Sequence, residues 1–149
     1  MSSVTIENEA GIDCDTEALG RLAEHLIEAL RLHPDAELGI TLVDEPRMAA
    51  LHVEWMDEPG ATDVLSFPMD ELRSAPEGQA PVPGILGDIV LCPAFAAGQA
   101  AERGRTLDGE LQFLVTHGML HLIGYDHATP EEYATMFALQ DRLLETWSA

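Results

Sequence analysis

Apolar residues recur along this chain with two different periods, which predict a mixture of strands and helices. Short apolar or alternating runs bounded by Gly, Pro or Asp predict four strands, over residues 3–6, 38–43, 63–67 and 87–92. Apolar residues repeated every three or four positions predict five helices, from 15 to near Pro34 and over 44–55, 93–104, 107–123 and 130–147.

The elements do not follow a strict strand-helix-strand alternation, so the predicted class is α+β, with a small mixed sheet packed against the helices. A chain of 149 residues is the usual size of one domain, and we expect a single domain over 1–149. Residues 74–84 carry three Pro and two Gly and few apolar residues, which predicts a mobile loop.

The charge is strongly negative, because 27 Asp and Glu face seven Arg and no Lys, giving a formal net charge of -20. Proteins that hold nucleic acid mainly by counterion release carry a basic stripe, whereas the Arg residues here are scattered. Any contact with RNA is therefore expected to be local. The excess acid otherwise favours solubility.

Neither a membrane span nor a secretory leader is predicted, since no run reaches the ~18 apolar residues that a span requires. We expect a cytoplasmic protein. Cys14 and Cys92 stand alone, outside any C-x-x-C pattern, and are expected to be reduced thiols without a role in metal binding.

The most informative segment is H-G-M-L-H-L-I-G-Y-D-H at 117–127. His117 and His121 are four residues apart on a predicted helix, so both imidazoles point the same way. Gly124 tolerates the left-handed conformation that ends a helix, which lets His127 reach the same ion. Three nitrogen ligands leave a zinc ion one open position for water, whose pKa the metal lowers towards neutrality. We predict one Zn²⁺ on the helix 107–123, although three imidazoles also suit nickel, copper or iron.

Two acidic residues are candidates to accept the second ring N–H of a ligand histidine. Glu110 lies seven residues before His117 on nearly the same stripe of the helix, and Asp126 adjoins His127. Thr106 is the predicted N-cap of this helix. An isolated histidine on an apolar face is usually a hydrogen-bonded core residue, but three at these spacings favour a metal site.

The spacing H-x-x-x-H-x-x-G-x-x-H also matches the metzincin proteases, but Gly118 stands where those enzymes carry a catalytic Glu. Without that general base, ordinary proteolysis is the weaker hypothesis.

Three blocks together resemble the bacterial YbeY family, the rRNA maturation endoribonucleases: the segment 117–127, T-D-V-L-S-F-P at 62–68 and G-D-I-V at 87–90. The resemblance runs over nearly the whole chain. It implies an α+β fold with zinc on three His, and a metal-dependent, single-strand-specific RNase. It further implies action in 16S rRNA 3′ end maturation and ribosome quality control, with rRNA and the small ribosomal subunit as partners.

Many members of that family carry an Arg just before the T-D-V-L-S-F block, where this chain has Met56. Arg73, beyond the block, is a candidate replacement for RNA contact, and Ser66 is a candidate to line the RNA groove. No general acid or base is assigned from the sequence. Ser66 reads equally as a plain strand residue.

Three classes of function remain open: a metal-dependent RNase, a metallohydrolase of another substrate such as peptide, and a non-catalytic factor whose zinc organises a ribosome-docking surface. The charge of -20 suits docking on a basic ribosomal protein, which is therefore a candidate partner.

Overall fold

A mixed sheet forms the framework of the fold in the computed structural model, which describes residues 3–56, 60 and 62–147. Within these ranges the sheet has four strands, β1 (Ser3–Asn8), β2 (Glu37–Leu42), β3 (Val64–Pro68) and β4 (Ile85–Leu91). Their order is β1-β2-β4-β3, with β1, β2 and β4 parallel and β3 antiparallel to β4. The prediction of a small mixed sheet is confirmed.

Five helices surround this sheet in the described part of the chain. They are α1 (Thr16–Ala29), α2 (Glu45–Met56), α3 (Pro93–Arg103), α4 (Leu107–Leu122) and α5 (Pro130–Thr146). The predicted N-cap Thr106 is confirmed, since its side chain accepts a hydrogen bond from the Gly109 amide. Thr129 and Glu132 form a capping box at the start of α5. None of the helices described is long and apolar enough to cross a membrane.

The end of α1 differs from the prediction. The helix stops at Ala29, several residues before Pro34, because Arg31 takes a left-handed conformation with φ of 59°. Leu30 and Leu32 are nevertheless buried, so the apolar pattern continues beyond the helix. The segment 69–84 contains neither helix nor strand, as expected of a loop, although Leu72 and Ala75 are buried within it.

The two faces of the sheet are covered unequally. One face, which includes Ile40 and Ile89, packs against α1 and α4 in a core that also takes Met136 and Leu143 from α5. The sheet and helices α1, α4 and α5 therefore share one main core, as expected of a single domain, although residues 1, 2, 57–59, 61, 148 and 149 of the predicted span lie outside the described residues. The other face carries a smaller core under α2 (Val43, Met48, Leu65, Val90 and Cys92).

Helix α4 lies at the centre of the arrangement. It packs against α1, α3 and α5 and against strands β3 and β4. Most of its residues are buried, and His117 and His121 in its C-terminal half line an opening beside strand β3. A site built on this helix is consequently held from several directions.

Candidate metal centre

The end of α4 brings His127 back towards the helix. Gly124 has φ of 100°, its amide donates to the His121 carbonyl at 3.1 Å, and the Tyr125 amide donates to the Leu120 carbonyl at 3.0 Å. These two bonds are those of a Schellman motif, in which a left-handed glycine ends the helix and reverses the chain. The predicted glycine turn is confirmed.

The three histidines converge. His117, His121 and His127 each offer a ring nitrogen, and these atoms lie within 4.8 Å of one another. The Nε2 atoms of His117 and His121 are 3.1 Å apart. Tetrahedral zinc with Zn–N bonds of about 2.0–2.1 Å would hold two ligand nitrogens roughly 3.3 Å apart, so the spacing fits the ion. Among the described residues, this group of candidate ligands contains three His and neither a carboxylate nor a thiol.

The hydrogen bonds on the other side of each ring set the tautomer. His121 Nδ1 lies 2.9 Å from the Tyr125 carbonyl, which can only accept. His117 Nδ1 lies 3.2 Å from Oε1 of Gln140, whose Nε2 donates to the Phe113 carbonyl at 3.3 Å. Both Nδ1 atoms are therefore the donors, and in the neutral rings both Nε2 atoms carry a lone pair. Two lone pairs that face each other at 3.1 Å repel, and a cation bound between them would remove that repulsion.

Burial favours the neutral form of both rings. It lowers the pKa of His117, against an opposing contribution from the Gln140 hydrogen bond. It likewise lowers the pKa of His121, where the hydrogen bond to Tyr125 opposes it. Neutral imidazole is the form that ligates metal, so both residues are ready to bind an ion near neutral pH.

Gln140 was not predicted from the sequence to be part of the site, although its position in the apolar pattern of α5 indicated a buried amide. It lies on α5 between Met136 and Leu143, in a stripe that is otherwise apolar, and it is fully buried. A buried amide in such a stripe must find hydrogen-bonding partners. Aromatic rings complete this side of the site: Phe113 stacks on His117 at 6.5 Å between ring centroids, and Phe137 lies 5.6 Å from the same ring.

The expected role of Glu110 is wrong. Its carboxylate is fully buried, with Oε2 2.7 Å from Arg103 Nη1 and Oε1 3.2 Å from Arg105 Nη1. Both oxygens are thus bound by the end of α3 and the turn after it, while Gln140 takes the place beside His117. Asp126 accepts a hydrogen bond from the His127 backbone amide at 2.8 Å. Whether it also accepts from a ligand ring stays a prediction.

The three histidines open into a cavity of about 450 Å³, called here the metal groove. Its other walls come from the end of α2 and from the β3 region, with Met56, Asp63, Ser66 and Pro68 among them. Ser66 Oγ donates to the Gly118 carbonyl at 3.2 Å, so strand β3 is fastened to α4 beside the ligands. Asp63 Oδ1 accepts from the Val64 amide at 2.8 Å at the start of β3.

Arg73 does not line the metal groove. It lies in a separate pocket with Gly124 and Tyr125, behind the Schellman turn, and its guanidinium donates to the carbonyls of Glu71 and Leu72. The expectation that Arg73 replaces the family arginine in this groove is therefore not supported. Met56 lines the groove at that point.

The fold and the site define a class of protein, namely small α+β proteins in which three histidines at the edge of a mixed sheet can hold a metal ion. The profile of the family described as endoribonuclease YbeY matches residues 4–148. Endoribonuclease YbeY of Thermobifida fusca is 56% identical over 97% of this chain and 94% of the relative. That of Mycobacterium tuberculosis is 54% identical over 99% of this chain and 84% of the relative. The solution structure of TM1509 from Thermotoga maritima has a TM-score of 0.64 at 30% identity, covering 95% of this chain and 87% of that one. The chain belongs to the YbeY family of endoribonucleases.

Proposed function

We propose that this chain is a metal-dependent endoribonuclease that cleaves single-stranded RNA at a zinc ion bound by His117, His121 and His127. Membership of the YbeY family supplies the class of enzyme. The observation that supports the catalytic centre is the pair of Nε2 lone pairs facing each other at 3.1 Å beside an open groove.

The residues of the chain hold the ligands and shape the substrate path. Gln140 and the Tyr125 carbonyl fix the tautomers of His117 and His121, while the bond from Ser66 to Gly118 keeps β3 against the helix. When bound, a divalent ion polarises a phosphoryl oxygen and lowers the pKa of an attacking hydroxyl. The groove opens at the edge of the sheet, where an unpaired strand of RNA can approach.

We further propose ribosomal RNA of the small subunit as the substrate, with a role in 16S rRNA 3′ end maturation and ribosome quality control, as the family resemblance implies. A net charge of -20 opposes binding to bulk RNA, so a basic ribosomal protein would help to bring the enzyme to its substrate.

The test compares wild type with His121→Ala, and uses His25→Ala, on α1 outside the cluster, as the matched control. We expect wild type and His25→Ala to contain one equivalent of zinc and to cleave single-stranded RNA until a chelator is added. His121→Ala should lose both the metal and the cleavage while keeping its circular dichroism spectrum.

Undiminished cleavage by a folded, metal-free His121→Ala would refute the proposed centre. Cleavage of casein instead of RNA would assign the site to peptide hydrolysis, which the absence of a side chain at Gly118 disfavours. Cleavage of neither substrate by the zinc-loaded protein would leave the docking function.

A further inference from the structure

A second and larger cavity adjoins the metal groove. It has a volume of about 720 Å³ and lies on the sheet face beside α2. Met56, Ser66 and Pro68 line both cavities, so the two openings share a wall. Trp55 and Phe67 line only the larger one, which we call the aromatic groove.

The aromatic groove displays side chains that proteins usually bury. Trp55 is 60% exposed, and its neighbours Met56 and Met69 are also exposed. The Trp55 ring contacts Phe67 in an edge-to-face arrangement, with centroids 5.8 Å apart and planes at 70°. Phe67 thus supports the indole, while much of the indole surface stays open to a ligand. Exposed aromatic and methionine side chains grouped in a concave surface are typical of a binding site.

We propose that the aromatic groove binds a nucleobase of the RNA strand whose phosphate lies in the metal groove, by stacking on Trp55. The inference rests on the proposed function and adds a binding subsite to it. Its basis is the continuity of the two cavities through Met56, Ser66 and Pro68. An RNA strand that crosses this shared wall places a phosphate beside the histidines and a neighbouring base beside the indole.

The charges in the aromatic groove favour a base over a phosphate. Glu7, Glu9 and Asp88 line it, against the one cation Arg47 among the described lining residues. Carboxylates repel a phosphodiester, but they accept hydrogen bonds from the amino groups of a base. The volume of the aromatic groove falls in the range of about 300–1,000 Å³ that is typical of small-ligand sites. A groove of this size suits the flat ring of a base better than the larger surface of a protein partner.

Stacking also offers a way to hold RNA although Met56, rather than the arginine of many family members, lines the metal groove. Base stacking on an aromatic side chain is sequence-tolerant and needs no positive charge, since every base has a π face. In single-strand-binding proteins, removal of one such ring weakens binding by roughly 5- to 150-fold. This contribution is the effect expected for Trp55.

The first test is fluorescence in a Trp147→Phe background, where Trp55 is the only tryptophan. The probe is a 2′-O-methyl RNA hexamer, which resists cleavage through the 2′ oxygen, and the control is an abasic hexamer with the same phosphates. We expect the RNA hexamer to quench Trp55 and the abasic hexamer not to. Because binding is measured without turnover, this readout is independent of whether the centre is catalytic.

The second test measures binding and cleavage in Trp55→Ala and Trp55→Phe, with Val53→Ala as the matched control on an exposed position of the same helix. Trp55→Ala should bind the hexamer roughly 5- to 150-fold more weakly and raise KM by a similar factor, with kcat changed little. Trp55→Phe should recover most of the loss, and Val53→Ala should match wild type.

Equal RNA binding by Trp55→Ala and Val53→Ala, or equal quenching by the two hexamers, would overturn the inference while leaving the metal centre intact. Quenching by an oligoarginine peptide but not by RNA would also overturn it and assign the groove to a basic protein. Chelator-insensitive RNA cleavage with normal Trp55 quenching would refute the proposed function instead.

Discussion

The contact between Gln140 and His117 yields the sharpest prediction about the metal centre. Gln140→Leu keeps most of the side-chain volume but removes the acceptor for His117 Nδ1 and the donor for the Phe113 carbonyl. Without its acceptor, His117 is no longer confined to the tautomer whose Nε2 lone pair faces His121. We therefore expect the variant to fold but to bind metal more weakly.

The magnitude follows from the two hydrogen bonds. Loss of a hydrogen-bond partner of a metal-ligating histidine costs about 10- to 100-fold in metal affinity, or roughly 1.4–2.8 kcal/mol. The His117 Nδ1–H group left without a partner costs about 1–3 kcal/mol, whereas the Phe113 carbonyl keeps its helical hydrogen bond inside α4, so the free energy of unfolding should fall by roughly 1–3 kcal/mol. Gln140→Glu restores the acceptor for His117 but turns a carboxylate towards the Phe113 carbonyl. It should recover metal affinity without recovering stability.

The assay is competition for zinc against a chromophoric chelator, paired with urea unfolding of the metal-free protein. Leu143→Ala is the matched control, because it removes buried volume one turn further along α5, away from the histidines. It should cost about 2–5 kcal/mol of stability and leave zinc affinity unchanged. If Gln140→Leu binds zinc as tightly as Leu143→Ala does, Gln140 does not position His117.

Three further predictions concern the surroundings of the site. Glu110→Gln should lower the free energy of unfolding by only about 1–3 kcal/mol, because its partners Arg103 and Arg105 are 44% and 38% exposed and water partly screens the ion pairs. The zinc stoichiometry should stay unchanged, and loss of zinc would show that Glu110 supports the metal site. Gly118→Ala should destabilise the protein in the same urea assay, because the new Cβ would lie 3.0 Å from Ser66 Oγ and 3.3 Å from Ile89 Cγ2. This crowding should outweigh the higher helix propensity of Ala, which is worth about 1 kcal/mol. A gain in stability would show that β3 can shift to accommodate the methyl group. Burial raises the pKa of the Cys14 and Cys92 thiols above the ordinary 9.0, so iodoacetamide should label the folded protein slowly at pH 7.5. Cys92 is buried and should be modified only after unfolding, which mass spectrometry of the adducts can check.

The fold could be predicted as far as local pattern determines it. Strand and helix positions follow from apolar spacing, and the cap at Thr106 follows from side-chain chemistry. The end of α1 could not be predicted in this way, because Arg31 adopts a left-handed conformation at a position where the sequence has no glycine to indicate it. The order β1-β2-β4-β3 also depends on long-range pairing, which the period of a single segment does not encode.

The site divides in the same way. The three histidines and Gly124 lie within eleven residues, so helix geometry alone predicted that they could converge. Gln140 reaches His117 from α5, and Met56 lines the metal groove from α2, so the contribution of both residues depends on how the helices pack. The expectation for Glu110 failed on distance: seven residues separate it from His117 by about 10 Å along the helix, which leaves its carboxylate to the nearer arginines.

Gly118 explains why the metzincin spacing serves a different chemistry here. In those proteases the residue after the first ligand carries the carboxylate that activates water. In this chain strand β3 occupies that space: Ser66 donates to the Gly118 carbonyl, and a Cβ at position 118 would already press on Ser66 and Ile89. A carboxylate side chain at that position would require Ser66 and Ile89 to shift. The missing carboxylate and the close approach of β3 are thus one structural feature, and proton transfer in the proposed reaction must come from groups in the groove or from the substrate.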